Sequence, residues 1–367
     1  MTFSKRLPAE MRPNALAELL RGKRQSGARI FDLTESNPTH AGIEYPGDFL
    51  QCLASASALL YEPEPFGLPS ARAVIAREYK APVDRVVMTA STSEAYSWLF
   101  KLLCDPGDEV LVPRPSYPLF DYLAALESAT VRHYGLFYDH GWFIDFHTIK
   151  RAITDRTRAI VVVNPNNPTG HFLRRHELAE LSSFGLPIIS DEVFRDYALA
   201  PADDSVLSLQ NMSETLLFAL NGLSKTVGLP QMKLAWIVAN GPDTLVREAL
   251  GRLEIIADTY LSVGTPVQCA VETLLKMRGP VQHQIVKRLR ANLETLQGSG
   301  LRVLNIEAGW YAIVSLEEGA ELRLLREHDV LVQPGYFYDF EKSNYIVISL
   351  LTRAEVFQEG VERIRRA

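Results

Sequence analysis

Apolar and polar positions alternate with two different periods along this chain. Through its middle, short apolar runs bounded by turn-forming residues read as buried strands. They fall at 86–89, 109–112, 131–134, 159–163, 186–190, 215–220 and 234–239. Between the earlier runs, apolar residues recur every three to four positions, as on a helix face, at 93–103, 119–126, 148–152 and 176–184. Strands alternating with helices imply crossover units and a mostly parallel sheet covered on both faces. After Ala239 the pattern changes to long helices at 242–258, 265–277 and 281–296, then short strands near 301–304, 310–314 and 345–350. This tail reads as a smaller α+β domain. Before the alternating region, short helices are expected at 13–24 and 70–79, a short strand at 30–33, and an alanine-rich helix at 48–60.

In a parallel sheet of this kind, functional groups lie at the carboxyl ends of strands. Five segments occupy such positions. Asn221 to Pro230 carries Lys225 between two buried strands, with Gly222 and Gly228 on either side. A desolvated lysine loses its proton easily and becomes an amine nucleophile. Taken alone, the same stretch also reads as a surface lysine on a connecting loop. Thr89 to Ala95 is a hydroxyl-rich strand-to-helix turn, with Ser91, Thr92 and Ser93 placed to cap the helix or to hold an anion at its start. Tyr117, held between prolines, suits stacking on a flat ring or the edge of the core. Asn164 to Gly170, with three asparagines, follows the most apolar strand. Asp191 ends a buried strand and needs a cationic partner there, either Arg195 or a protonated ligand nitrogen.

Composition narrows the class. The 367 residues are 47% hydrophobic and 22% charged, an ordinary globular balance for two domains, and the net charge of −6 argues against a nucleic-acid surface. Three scattered cysteines suggest a reducing compartment without a disulfide framework. The five histidines from His133 to His176 lack metal-ligand spacing, so no metal is expected. No apolar run approaches membrane-spanning length and the first twelve residues lack a signal-peptide core, so a cytoplasmic protein is expected.

The five segments, in this order and spacing, resemble the class I/II aminotransferases, which are fold-type I pyridoxal-phosphate enzymes. The likeness extends over nearly the whole chain and includes 33–38, 61–72, Pro106-Gly107-Asp108-Glu109-Val110, Gly309-Trp310-Tyr311 and 330–335. It implies an α/β fold: a large domain with a mostly parallel seven-stranded sheet, and a smaller α+β domain. The expected division is an N-terminal arm with part of the small domain at 1–36, a cofactor-binding domain at 37–258 and a small domain at 259–367. The resemblance further implies pyridoxal 5′-phosphate as cofactor and transfer of an amino group between an amine and a carbonyl acceptor. Lys225 would form the Schiff base with the cofactor. Asp191 would pair with its ring nitrogen, Asn167 would donate to its ring oxygen, and Tyr117 would stack on the ring. Ser91, Thr92, Ser93 and Lys233 would hold its phosphate. Tyr61 would reach the phosphate of a neighbouring subunit, which implies a homodimer with shared active sites.

Four positions depart from the family pattern. Phe194 stands where a tyrosine is usual, Lys233 where an arginine is usual, and Gly222 where a serine is frequent. Val347 stands where an arginine usually grips the substrate α-carboxylate, and no arginine occurs between Arg326 and Arg353. Either another cation, Arg353 or Arg114, takes the carboxylate, or the donor lacks one. Tyr336, within Gly335 to Phe340, is a further candidate for the substrate pocket. Two alternatives to transamination remain at this point: a pyridoxal-phosphate carbon–sulfur lyase, and a cofactor-binding regulatory protein that has lost catalysis.

Overall fold

The computed structural model describes residues 3–8 and 12–367. Its centre is an eight-stranded sheet. In spatial order the strands are Val86–Thr89, Ala235–Asn240, Leu217–Gly222, Ile188–Asp191, Thr157–Val163, Glu109–Arg114, Thr130–Tyr138 and Trp142–Ile144. The five from Leu217–Gly222 through Thr130–Tyr138 are mutually parallel. Ala235–Asn240 runs against both of its neighbours. The eighth strand, Trp142–Ile144, folds back on Thr130–Tyr138 as an antiparallel edge and adds one strand to the seven expected. It is three residues long with only Trp142 and Ile144 buried, too brief for a periodic signal.

The central strands are buried on both faces, which is why they read as continuous apolar runs. One face packs on the helix Thr92–Leu103 and part of the long helix Asp243–Tyr260. The other joins a large core shared with the C-terminal elements. These form a four-stranded antiparallel sheet of Arg302–Val303, Tyr311–Ser315, Tyr345–Ser349 and Gln333–Pro334. The N-terminal strand Phe31–Asp32 pairs in parallel with Val330–Leu331, so the start of the chain is tied to its last third. Two helices there, Ala320–His328 and Ala354–Arg366, are additions to the elements expected from the sequence.

Two local expectations fail. The alanine-rich stretch 48–60 is not a continuous helix but two short 3₁₀ turns, Phe49–Leu53 and Ala56–Leu59. No residue of either turn is fully buried: Phe49, Cys52 and Leu53 pack half-buried on the core, while Leu50, Leu59 and Leu60 are exposed, so only the first turn is anchored and propensity alone does not extend it. Ser55 interrupts it by accepting a hydrogen bond from the Ser57 amide. Lys225, expected on a loop, lies in one helical turn, Leu223–Thr226, that begins directly after the strand ending at Gly222.

Candidate active site

One cavity of about 400 Å³ opens at the carboxyl ends of the central strands. Its walls include Ser91, Thr92, Ser93, Tyr117, Asn167, Asp191, Phe194, Lys225 and Lys233. They come from several different crossings. Ser91 caps the helix Thr92–Leu103 after its strand, its Oγ accepting from the Glu94 amide at 3.2 Å. Asp191 is the last residue of its strand, and Lys225 follows the next strand over. Lys233 holds a left-handed conformation at the end of a 3₁₀ turn, which brings it back toward the helix start.

The electrostatics set two residues apart. Burial lowers the Lys225 ammonium from 10.5 to about 8, with Asp191 pulling weakly the other way. Burial raises the Asp191 carboxyl from 3.8 to about 6, although the Val193 amide and the Tyr96 hydroxyl each donate to it at 3.1 Å. Arg195 is not its partner. That guanidinium lies over the Tyr79 ring at 4.3 Å and faces Glu192 and Asp196 instead. A carboxylate facing a cavity without an arginine suits a protonated ring nitrogen. Asn167 lines the same cavity, and its buried Oδ1 has no hydrogen-bond partner among the described residues, an orphaned acceptor that a donor on a bound group would satisfy, whereas donation to a ring oxygen would come from its Nδ2.

Lys225 is framed by aromatic faces. Its Nζ lies 4.5 Å from the centroid of Trp310 and 5.4 Å from that of Phe194. Trp310 is fully buried and packs edge-on to Phe194 and Tyr197, and the Tyr197 hydroxyl donates to the Lys225 carbonyl at 2.5 Å. Gly222, just before the lysine turn, has a steric reason to lack a side chain. A Cβ there would lie 2.8 Å from the Ala235 Cβ and 3.0 Å from the Leu234 carbonyl oxygen.

Not every candidate converges. Tyr61 is 77% exposed and lies outside the cavity, beside a surface hollow with Trp98 and Ser262. Arg353 is exposed at the start of the C-terminal helix, near Gly42 and the His40 carbonyl. Arg114 donates Nε to the Asp339 carbonyl at 2.8 Å. Neither arginine is part of the cavity wall, and Tyr336 is 49% exposed on the surface. The inward tyrosine of that segment is Tyr338, buried against Tyr311 at 6.3 Å, because the 3₁₀ turn Gly335–Tyr338 puts positions 336 and 338 on opposite sides. Sequence reasoning missed Tyr96, Ser36 and Tyr311 as site residues. Tyr96 sits inside a helix where nothing local separates it from a core aromatic. Ser36 and Tyr311 reach the cavity only through the pairing of distant strands.

The comparisons with known proteins agree with this geometry. The family model "Aminotransferase class I and II" matches residues 40–364. The chain is 27% identical over 372 residues to a glutamate-pyruvate aminotransferase of Haemophilus influenzae, covering 93% of this chain and 91% of that protein. It is 31% identical over 266 residues to the Escherichia coli protein of that name, covering 68% and 64%. A crystal structure of an Escherichia coli aminotransferase superposes with a TM-score of 0.87 at 25% identity, over 100% of this chain and 98% of that one. An alanine aminotransferase from Pyrococcus furiosus superposes equally well at 24% identity, with 100% and 99% covered, which speaks to the fold. The chain belongs to the class I and II aminotransferases and has their fold-type I architecture. It is a pyridoxal-phosphate-dependent enzyme that transfers amino groups.

Proposed function

We propose that this aminotransferase works through Lys225, with Asp191, Asn167 and Tyr117 around the cofactor ring and Ser91, Thr92, Ser93 and Lys233 around its phosphate. The observation that carries the reading is the meeting of Lys225, Asp191 and the Ser91–Ser93 helix start in one cavity. The cofactor, when bound, draws electrons away from the carbon that bears the amine and so acidifies its C–H bond. The chain's own groups do the rest. Lys225 Nζ, low enough in basicity to be neutral in part of the protein near pH 8, would hold the cofactor covalently, its amine replacing the carbonyl oxygen with loss of water, and, once displaced by the substrate amine, would carry a proton from one carbon to the other. Asp191 keeps the ring nitrogen protonated, and that cation in turn stabilises the buried carboxylate. Free amides and hydroxyls at the start of Thr92–Leu103 suit a dianion, with Lys233 as counter-charge.

The same reading includes a cytoplasmic homodimer in which Tyr61 serves the neighbouring site, with 37–258 as the cofactor-binding unit. Supporting the dimer, Leu59, Leu60, Tyr61, Ile255 and Tyr260 are at least 50% exposed, and Tyr61, Trp98 and Leu261 share one hollow. No helix among the described residues is long and apolar enough to cross a membrane. The deciding experiment is borohydride reduction of the cofactor-loaded protein followed by peptide mapping. The label is expected on the peptide containing Lys225, and a label elsewhere would end this reading.

A further inference from the structure

The end of the cavity beside Tyr311 has an unexpected charge balance, and what it implies rests on the reading of Lys225, Asp191 and Lys233 just given. Val347 is fully buried in mid-strand, paired with Ile313. Directly paired residues share a face of a sheet, and residues two apart on a strand do too, so Val347 lies on the face that presents Tyr311. An arginine is expected there from the family pattern; a hydrocarbon stands in its place. Arg114 and Arg353 are engaged elsewhere, and among the described residues no arginine lines the cavity. Its two cations are the lysines assigned above to the cofactor.

What this end offers is hydroxyls. Ser36 faces the Tyr311 hydroxyl, and both line the cavity. A negative charge stands nearby: Glu35, held by the Asn37 amide at 2.8 Å and 3.5 Å from His40, pushes the Tyr311 hydroxyl up further, on top of its burial. A substrate carboxylate here would be desolvated, without a cation, and near another carboxylate. Each of these disfavours an anion, because a buried charge is tolerated only when it is paired. A substrate hydroxyl meets two groups that both donate and accept, so it keeps its hydrogen bonds.

We propose that the amine substrate carries an uncharged hydrogen-bonding substituent on its reacting carbon, of the amino-alcohol type, in place of the α-carboxylate of an ordinary amino acid, and that Ser36 and Tyr311 receive it.

Two compounds of one skeleton test this on the cofactor-loaded enzyme: 2-amino-2-methylpropan-1-ol and 2-methylalanine. They differ in a hydroxymethyl group against a carboxylate. Neither has a hydrogen on the reacting carbon, so the shift in cofactor absorbance reads binding without turnover. The amino alcohol is expected to bind tighter by about tenfold or more. Tyr311→Phe and Ser36→Ala are each expected to weaken it by roughly fivefold, the worth of one hydrogen bond, and to leave 2-methylalanine unchanged. Equal or tighter binding of 2-methylalanine overturns the proposal, whether the cation comes from this chain or from a second copy. Borohydride mapping keeps the two ideas apart. An unlabelled Lys225 removes the reading beneath; a labelled Lys225 with 2-methylalanine preferred removes only this one.

Discussion

The Lys225 ammonium lies 4.5 Å above the centre of the Trp310 ring, so the residue read as the nucleophile rests on an aromatic face rather than on a hydrogen-bonding wall. A ring face attracts a cation by about 0.5–2 kcal/mol and does nothing comparable for a neutral amine. Trp310 therefore counteracts, in part, the burial that lowers the Lys225 pKa to about 8.

The first prediction concerns that contact. Trp310→Leu should lower the Lys225 pKa by roughly 0.4 to 1.4 units, the cation–π energy converted at about 1.4 kcal/mol per unit. The measurement is the pH profile of covalent labelling of Lys225 in the cofactor-free protein. An unchanged profile in a folded variant would show that the ring only fills space.

Two pH dependences of stability follow for the cofactor-free protein, with opposite signs. Lys225 has a folded pKa of about 8, below its ordinary 10.5, so its contribution is present above 10.5 and is lost as pH falls through 8. Asp191 has a folded pKa of about 6, above its ordinary 3.8, so its contribution is present below 3.8 and is lost as pH rises through 6. Denaturant midpoints of wild type minus Lys225→Met should therefore rise between pH 8 and 10. Those of wild type minus Asp191→Asn should fall between pH 4 and 6. A flat difference in either window contradicts the burial assigned to that group.

Asp191→Asn should cost transamination at least about a hundredfold, because an amide cannot keep a ring nitrogen protonated. The fold should tolerate the change, since an amide oxygen still accepts from Tyr96 and from the Val193 amide. Retention of near-normal rates would remove Asp191 from its proposed role.

Phe194 places a ring face near Lys225 where the family commonly has a hydroxyl. With one donor fewer for the cofactor's ring oxygen, the link between Lys225 and the cofactor should hold its proton to higher pH than in a Phe194→Tyr variant. Spectrophotometric titration of both loaded proteins decides the matter, and superimposable curves would refute it.

Gly222→Ser should destabilise the protein by about 1–3 kcal/mol, the usual range for overpacking a filled interior. The side chain would meet the Ala235 Cβ at 2.8 Å. Adding Ala235→Gly should restore part of the loss, and the pair should be non-additive by thermal melting. Simple additivity would place the strain elsewhere.

Much of this site is legible in residue order alone. Asp191, Asn167 and Lys225 each stand at or just beyond the end of an apolar run, and a parallel sheet brings all such ends to one edge. Local chemistry also announces the Ser91 cap. Other features depend on contacts far apart in the chain. Tyr96 reaches Asp191 across 95 positions, and Ser36 enters the cavity because the strand Phe31–Asp32 just before it pairs with Val330–Leu331 in the last third of the chain. The stretch 48–60 has the alanine content of a helix, yet it forms two short turns parted at Ser55, because only Phe49, Cys52 and Leu53 find a contact on the core.

The sequence by itself determined the alternation of strands and helices, the parallel sheet and the edge where its functional groups gather, because period and turn chemistry are local properties. Only the tertiary structure decided which charges meet. It showed Asp191 without an arginine, and it left Arg114 and Arg353 outside a cavity whose wall includes Ser36 and Tyr311. Charge pairing falls steeply with distance and with water, and neither distance nor water is written in residue order.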